Sequence, residues 1–393
     1  MNYKEFSIKI YNLKKEGKFN EILTFLKANN FDIKDDKFVI SNILMALRKT
    51  DNSKLIDTFI QEYNIDISID EMVTNSYGWC IYDNLKNKFY PEYQIISKLQ
   101  FLKLLNSNSK FSQMLLENIF KIGLKIIKDN RVLIDFLNLF NVDNLSSQEI
   151  VWQNRKLPSL QEKFYSSKSK VLFELQKYNE CIEISQQALN KITKFHNNND
   201  VWFARRIALS YKATGQIDEA IKLLKSLYQK KSEWFILKEI AELYLNIDKN
   251  TAFEYAIKAI NQKAPLDYKV GLITLIGKLC NDENLAKQHF AIVKEIYQKN
   301  NWKIKDKVIE NFNENVKVEI KTLQNYWKSF LPKGVVVKIL NNNEKGKNGF
   351  IKFENKDYYF VISKKTPFIN KIDQGKKVFI EIVGDRVKIL GIA

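Results

Sequence analysis

The sequence predicts a mainly α-helical chain, an α-solenoid of helix pairs that ends in a small five-stranded β-barrel. Three observations lead there. Most of the chain reads as polar-capped helices, and only 12 Gly and 5 Pro in 393 residues interrupt them. In its middle, Trp202-Phe203 returns as Trp234-Phe235 32 residues later, a period that marks stacked repeats. From Gly334 to Ala393 the apolar pattern becomes short β-rich runs separated by Asn, Gly, Lys and Asp.

The N-terminal part, residues 1–155, is expected to be a degenerate helical-repeat domain. Tyr3–Lys15, a turn at Gly17 and Phe19–Lys27 make one pair, with Phe6, Ile10 and Leu13 facing Ile22 and Leu26. Lys37–Arg48 with Ser53–Tyr63 makes a second pair. Glu71–Asn84 with Tyr90–Leu105 makes a third, with Pro91 in a first turn, where it is tolerated. Phe111–Lys128 and Arg131–Phe140 follow.

Residues 156–331 carry the clearest repeats. Behind each Trp-Phe pair lies a small-residue pattern, Ile207-Ala208 with Tyr211 and Ile240-Ala241 with Tyr244. Ala220 and Ala252 are again 32 apart, and Ala286 adds a step of 34. A helix pair of this length needs small residues where its helices touch and large ones where it meets the next pair. Gly215 marks a turn between helices. The spacing resembles the tetratricopeptide repeat, in units of about Glu162–Phe195, Asp200–Lys231, Ser232–Pro265 and Leu266–Trp302. The third and fourth units lack the turn Gly, and an Asn-rich insertion, Thr193 to Asp200, lengthens the first connection. Pro158, Pro265 and Pro332 fall near unit boundaries. A helix Val316–Phe330 is expected to close the solenoid, and Leu331–Gly334 is a short hinge.

The segment 332–393 has five strand-like runs, the pattern of a small closed barrel. They are Val335–Leu340, Gly349–Phe353, Tyr358–Ile362, Lys377–Val383 and Arg386–Leu390. Glu344 to Phe353 resembles the first nucleic-acid motif of cold-shock domains, and Asp357 to Ser363 resembles the second. The resemblance spans the whole segment and implies an OB-type fold that binds RNA or single-stranded DNA. Alternation places Phe350, Lys352, Tyr359 and Val361 on the outer face if Ile351, Phe353, Tyr358, Phe360 and Ile362 point inward. Exposed aromatics stack bases and lysines take phosphates, so Lys345, Lys347, Phe350, Lys352 and Tyr359 are the candidate nucleic-acid residues. The chain departs from the family where Ile339 replaces a stacking Trp, Val361 replaces a His, and Lys347-Asn348 displaces an aromatic. Those departures imply weaker, more electrostatic binding. From Lys333 to Ala393 there are 13 Lys and Arg against 6 Asp and Glu, an excess of +7.

The whole chain carries a formal charge of +18, which attracts polyanions. Its lysine-rich bias could equally follow from base composition. Cys80, Cys181 and Cys280 are far apart and odd in number, which predicts no disulfide framework or metal site and a reducing, cytoplasmic setting. The opening residues are polar, so no signal peptide is expected. No apolar run approaches the ~18 residues of a membrane span. Of the two histidines, His289 reads as a helix-surface residue and His196 as a loop residue of the insertion. No nucleophile elbow or phosphate-cradling loop occurs. A non-enzyme without cofactors is expected.

Candidate partner-binding residues on the repeats are Trp202, Arg205, Arg206, Trp234 and Lys238, since Trp and Arg are common interface anchors. Both tryptophans could instead pack between repeats. The layout, together with Phe195 to Ala208 and Lys231 to Phe235, resembles bacterial proteins of conflict and defence systems. That resemblance implies a scaffold whose repeats hold a protein partner, such as a nuclease or helicase, while the barrel engages RNA or single-stranded DNA. The alternative is a pure interaction scaffold whose barrel has lost nucleic-acid binding.

Overall fold

The computed structural model describes residues 1–303 and 319–393. The chain divides into two compact units, Met1–Arg206 and Ile207–Ala393. The start of the expected closing helix, Val316 to Val318, lies outside the described residues.

The first unit is built from helices that follow one another in pairs along the chain. They are α1 (Tyr3–Lys15) with α2 (Phe19–Lys27), α3 (Lys37–Lys49) with α4 (Ile56–Glu62), and α5 (Glu71–Lys86) with α6 (Glu92–Lys98). Next come α7 (Lys110–Ile126) with α8 (Asn130–Asn138) and α9 (Leu160–Glu174) with α10 (Tyr178–Lys191). Side-chain caps start several of them: Asn2 and Glu5 form a capping box on α1, and Asp36, Asp70 and Asp129 cap α3, α5 and α8. A continuous apolar core runs from Phe6 through Ile43, Cys80, Leu115 and Phe136 to Phe164 and Phe203.

Three features differ from the sequence reading. The run Tyr90–Leu105 is not one helix: α6 ends at Lys98 and a 3-10 turn, Gln100–Leu104, follows. Pro91 is the N-cap of α6, with ψ 153°, rather than a residue of its first turn. A hairpin of β1 (Ile150–Trp152) and β2 (Arg155–Leu157) precedes α9; its turn residues Gln153 and Asn154 both have positive φ, as a type I′ turn requires.

Helix α11 (Asp200–Ala213) runs across the division between the units. The second unit continues with α12 (Ile217–Lys230), α13 (Trp234–Tyr244), α14 (Lys249–Ile260), α15 (Val270–Leu279), α16 (Glu283–Lys299) and α17 (Ile320–Ser329). The small residues that set the repeat period are where the helices touch: Ala208, Ala220, Ala241 and Ala252 are fully buried. Ala286 is only half-buried. His289 is not a surface residue. It is fully buried on α16, where its Nε2 accepts from the Trp327 indole at 2.8 Å and its Nδ1 lies 2.6 Å from the Leu285 carbonyl. An indole N–H can only donate, so the ring is the neutral Nδ1–H tautomer. Burial pushes its pKa below the usual value.

The chain ends in a closed barrel of β3 (Lys333–Asn343), β4 (Gly346–Phe353), β5 (Lys356–Ser363), β6 (Lys377–Val383) and β7 (Arg386–Ile392), in the order β3-β4-β5-β7-β6. β3 closes the ring by pairing with β6, and β5 runs parallel to β7. Val336, Ile351, Phe360, Val378, Ile380 and Val387 fill the interior. Gly349 is needed where β3 and β4 approach: a Cβ there would lie 1.9 Å from the Lys338 carbonyl oxygen.

Candidate nucleic-acid interface on the barrel

Strand alternation sets the outer surface of β4 and β5. Ile351, Phe360 and Ile362 are buried in the barrel, with Phe353 and Tyr358 partly so. Phe350 and Tyr359 therefore face outward and are directly paired across the two strands. Their ring centroids are 5.7 Å apart with planes at 63°, an edge-to-face pair that stays half-exposed. Register extends the row in both directions: Lys338 pairs with Phe350, and Arg386 pairs with Tyr359. Four strands thus line up cation, aromatic, aromatic and cation, and both cations are exposed. Lys352 and Val361, on the same outer faces, are exposed too. Lys345 is exposed in the β3–β4 turn.

Lys347 is a correction to the expected set. It is buried, and its ammonium donates to the Ile372 carbonyl at 2.9 Å and to Asp373 Oδ1 at 3.3 Å. It fastens the loop before β6 and offers nothing to a ligand. Ile339 does not stand in a stacking position either; it packs against the barrel core, and the outward residue is Lys338. Two register shifts in β3, at Val336/Lys338 and Ile339/Asn341, produce this change of face. Lys338 and Arg386 were missed for that reason and because β7 joins the row through a parallel pairing.

A second polar feature fixes the barrel against α12–α14. Glu381 on β6 is 3% exposed and accepts from Tyr228 Oη at 2.6 Å and from Gln262 Nε2. Lys388, its cross-strand neighbour on β7, donates to Gln262 Oε1 and to the Ser232 carbonyl at 3.3 Å. Burial raises the Glu381 pKa and lowers that of Lys388. None of these residues stood out in the sequence, because each looks like an ordinary polar residue of a strand or helix.

The expected partner-binding residues divide between the units. In the first, the Arg205 guanidinium lies 5.8 Å from the Trp202 ring, and both side chains are half-buried. Arg206 is committed internally: Nη1 donates to Ser169 Oγ at 2.8 Å, the guanidinium covers Phe203, and burial lowers its pKa. The Asn-rich insertion is held by buried Glu162, which accepts from the His196 backbone at 3.1 Å and from Asn199 Nδ2 at 2.6 Å. In the second unit Trp234 packs edge-on against Phe235 with the Lys269 ammonium 5.9 Å above it. Lys238 forms an ion pair with Glu242 at 2.5 Å. No cluster of metal-ligating side chains occurs among the described residues, and no helix among them is long and apolar enough to cross a membrane.

Residues 201–329 match a family model described as a domain of unknown function (DUF7017). The matched region covers the repeats from α11 to α17 and ends before the barrel. No curated protein sequence matches the chain. Among solved structures, it is similar to a tetratricopeptide repeat protein from Parabacteroides merdae, at 14% identity and a TM-score of 0.36 over 79% of this chain and 96% of that one. It is also similar to the human IFIT1 dimer with m7Gppp-AAAA, at 14% identity and a TM-score of 0.35 over 78% of this chain and 79% of that one.

Proposed function

We propose that the protein is a non-enzymatic adaptor of the cytoplasm that binds single-stranded RNA or DNA on its barrel and a protein partner on its helical repeats. The observation that carries this reading is the in-register row Lys338, Phe350, Tyr359 and Arg386 on the outer face of four strands. Two half-exposed rings flanked by exposed cations suit bases and phosphates, and each stacked base contributes roughly 1–3 kcal/mol whatever its identity. The excess of positive charge on the segment supports the same partner. A nuclease or helicase of a bacterial defence system would suit the repeats.

A second reading has a specific observation behind it. Glu381 and Lys388 are spent on the helices and Lys347 on a barrel loop, as in a barrel that serves only to dock. One titration separates the two. Fluorescence polarisation of the full chain against single-stranded RNA and DNA at two salt concentrations is expected to show salt-weakened binding. Phe350→Ala with Tyr359→Ala is expected to weaken it by at least about tenfold. Salt-insensitive binding, or binding that the double variant leaves intact, would leave the docking-only barrel.

A further inference from the structure

The stacking row does not end at Arg386. Val383 on β6 pairs with Arg386, and Val383 and Gly384 form one wall of a crevice of about 200 Å³ against the repeats. The opposite wall presents Lys225 from α12 with Tyr255 and Lys258 from α14. These side chains form a second cation–aromatic cluster. The rings of Tyr244 and Tyr255 are parallel to within 6°, with centroids 5.8 Å apart. Lys225 Nζ lies 5.1 Å from the Tyr244 centroid and 5.8 Å from that of Tyr255, and donates to Tyr244 Oη at 2.9 Å. Lys258 Nζ lies 5.2 Å from the Tyr255 centroid.

The electrostatics of the crevice favour an anion. The hydrogen bond to Tyr244 raises the Lys225 pKa, so its charge is kept. Glu381 lines the same crevice, with its oxygens bonded to Tyr228 and Gln262, and its single negative charge is set against the ammoniums of Lys258 and Lys388, which both act on it, and of Lys225. Asp385, at the tip of the β6–β7 turn, is exposed and lies 3.6 Å from the Lys356 ammonium. Lys225 has ammonium hydrogens left after its bond to Tyr244, and Lys258 forms none of the ion pairs found among the described residues.

We propose that a single-stranded polynucleotide lying across the barrel row continues past Arg386 into this crevice, where Lys225 and Lys258 contact its phosphates and Tyr255 supports a base. The helical repeats would then be part of the nucleic-acid site, and the docked barrel would set the path between the two clusters. This rests on the barrel reading above.

Oligouridylates of 4 and 10 nucleotides, titrated against the full chain by polarisation, test it. The shorter probe suits the barrel row alone, and the longer one can reach the crevice. Lys225→Ala with Lys258→Ala is expected to weaken the 10-mer about tenfold. It should also lower its slope of log affinity on log salt by about 1.4, from ~0.7 for each lost phosphate contact, and leave the 4-mer unchanged. Lys225→Arg with Lys258→Arg is expected to restore the 10-mer, which a merely structural role for these lysines would not require. If the 4-mer binds and the alanine pair leaves the 10-mer's affinity and slope intact, the extension is wrong and the barrel site stands. If neither probe binds, the barrel reading fails and the extension with it.

Discussion

Lys269 shows how one side chain can tie several parts of the second unit together at a cost. It is 1% exposed, and its ammonium donates to the carbonyls of Ile260, at 2.8 Å, and Gln262. Those carbonyls lie at the C-terminal end of α14, where unpaired oxygens and the helix dipole favour a cation. Burial, with Lys388 nearby, still pulls its pKa down to about 8 from 10.5. Between those two values the unfolded chain holds more protons than the folded one, so stability rises with pH across that window. Lys269→Met removes the group that titrates. The denaturation midpoint of the native chain is therefore expected to rise relative to that of Lys269→Met between pH 8 and 10. The stability difference should be on the order of 2 kcal/mol. Parallel pH profiles would show that the ammonium is not held as described. Site residues of this kind were only partly legible in the sequence. Phe350 and Tyr359 follow from alternation along unbroken strands. Ile339 does not, because the shifts in β3 change which residues face outward; Lys347 shares the inward parity of Ile351 along β4, so alternation itself sets it on the barrel side. His289 looked exposed because its partner Trp327 is 38 residues away in sequence.

At the level of elements, the helix pairs were readable where punctuation was explicit. Gly17 and Gly215 end α1 and α11 with φ of 73° and 81°. The same left-handed turn occurs at Asp51, Asn64, Lys88 and Gln176, where the sequence carries no glycine to announce it. A side chain in that conformation costs roughly 1–2 kcal/mol, which tertiary packing overrides. The hairpin β1–β2 was hidden similarly: three-residue strands and a Gln-Asn turn give no strong signal. Glycine inside a helix has a different meaning here. Gly123 lies in α7, and a Cβ on it would come within 2.1 Å of the Phe136 ring on α8. Gly123→Ala would gain about 0.5–1 kcal/mol of helix propensity, but overpacking a core costs typically 1–3 kcal/mol. The steric effect outweighs the gain. Urea denaturation followed by circular dichroism is expected to show a loss of roughly 1–2 kcal/mol. A stabilised variant would mean that α7 and α8 are not packed this closely.

At the scale of the second unit, the question is whether the barrel moves freely or is held. Only Leu331 and Pro332 separate α17 and its C-cap Phe330 from β3, and Leu331 is itself buried, so the connection is no flexible tether. The hydrogen bonds of Glu381 with Tyr228 and Gln262, and of Lys388 with Gln262 and Ser232, join strands to helices more than a hundred residues away in sequence. Burying a carboxylate is unfavourable unless its oxygens are satisfied, and removing the partners of a buried charge commonly costs 3–5 kcal/mol. The converse change, Glu381→Ala, removes the charge itself. It leaves Tyr228 Oη without its acceptor in a buried site, a loss of roughly 1–3 kcal/mol, and leaves Gln262 Nε2 with only its 3.3 Å bond to Tyr228 Oη. That energy is comparable to what a small docking surface can supply, while the barrel's own core of Val336, Ile351, Phe360 and Ile380 is untouched. The variant is therefore expected to release a folded barrel rather than unfold it. Limited proteolysis should then cut near Phe330–Gly334 faster than in the native chain, and the barrel should remain as a resistant fragment. Because the row of Phe350 and Tyr359 belongs to the barrel alone and the Lys225–Lys258 cluster to the helices, undocking should spare binding of a 4-nucleotide probe and weaken that of a 10-nucleotide probe. Equal cleavage of both chains would mean that Glu381 does not hold the barrel in place.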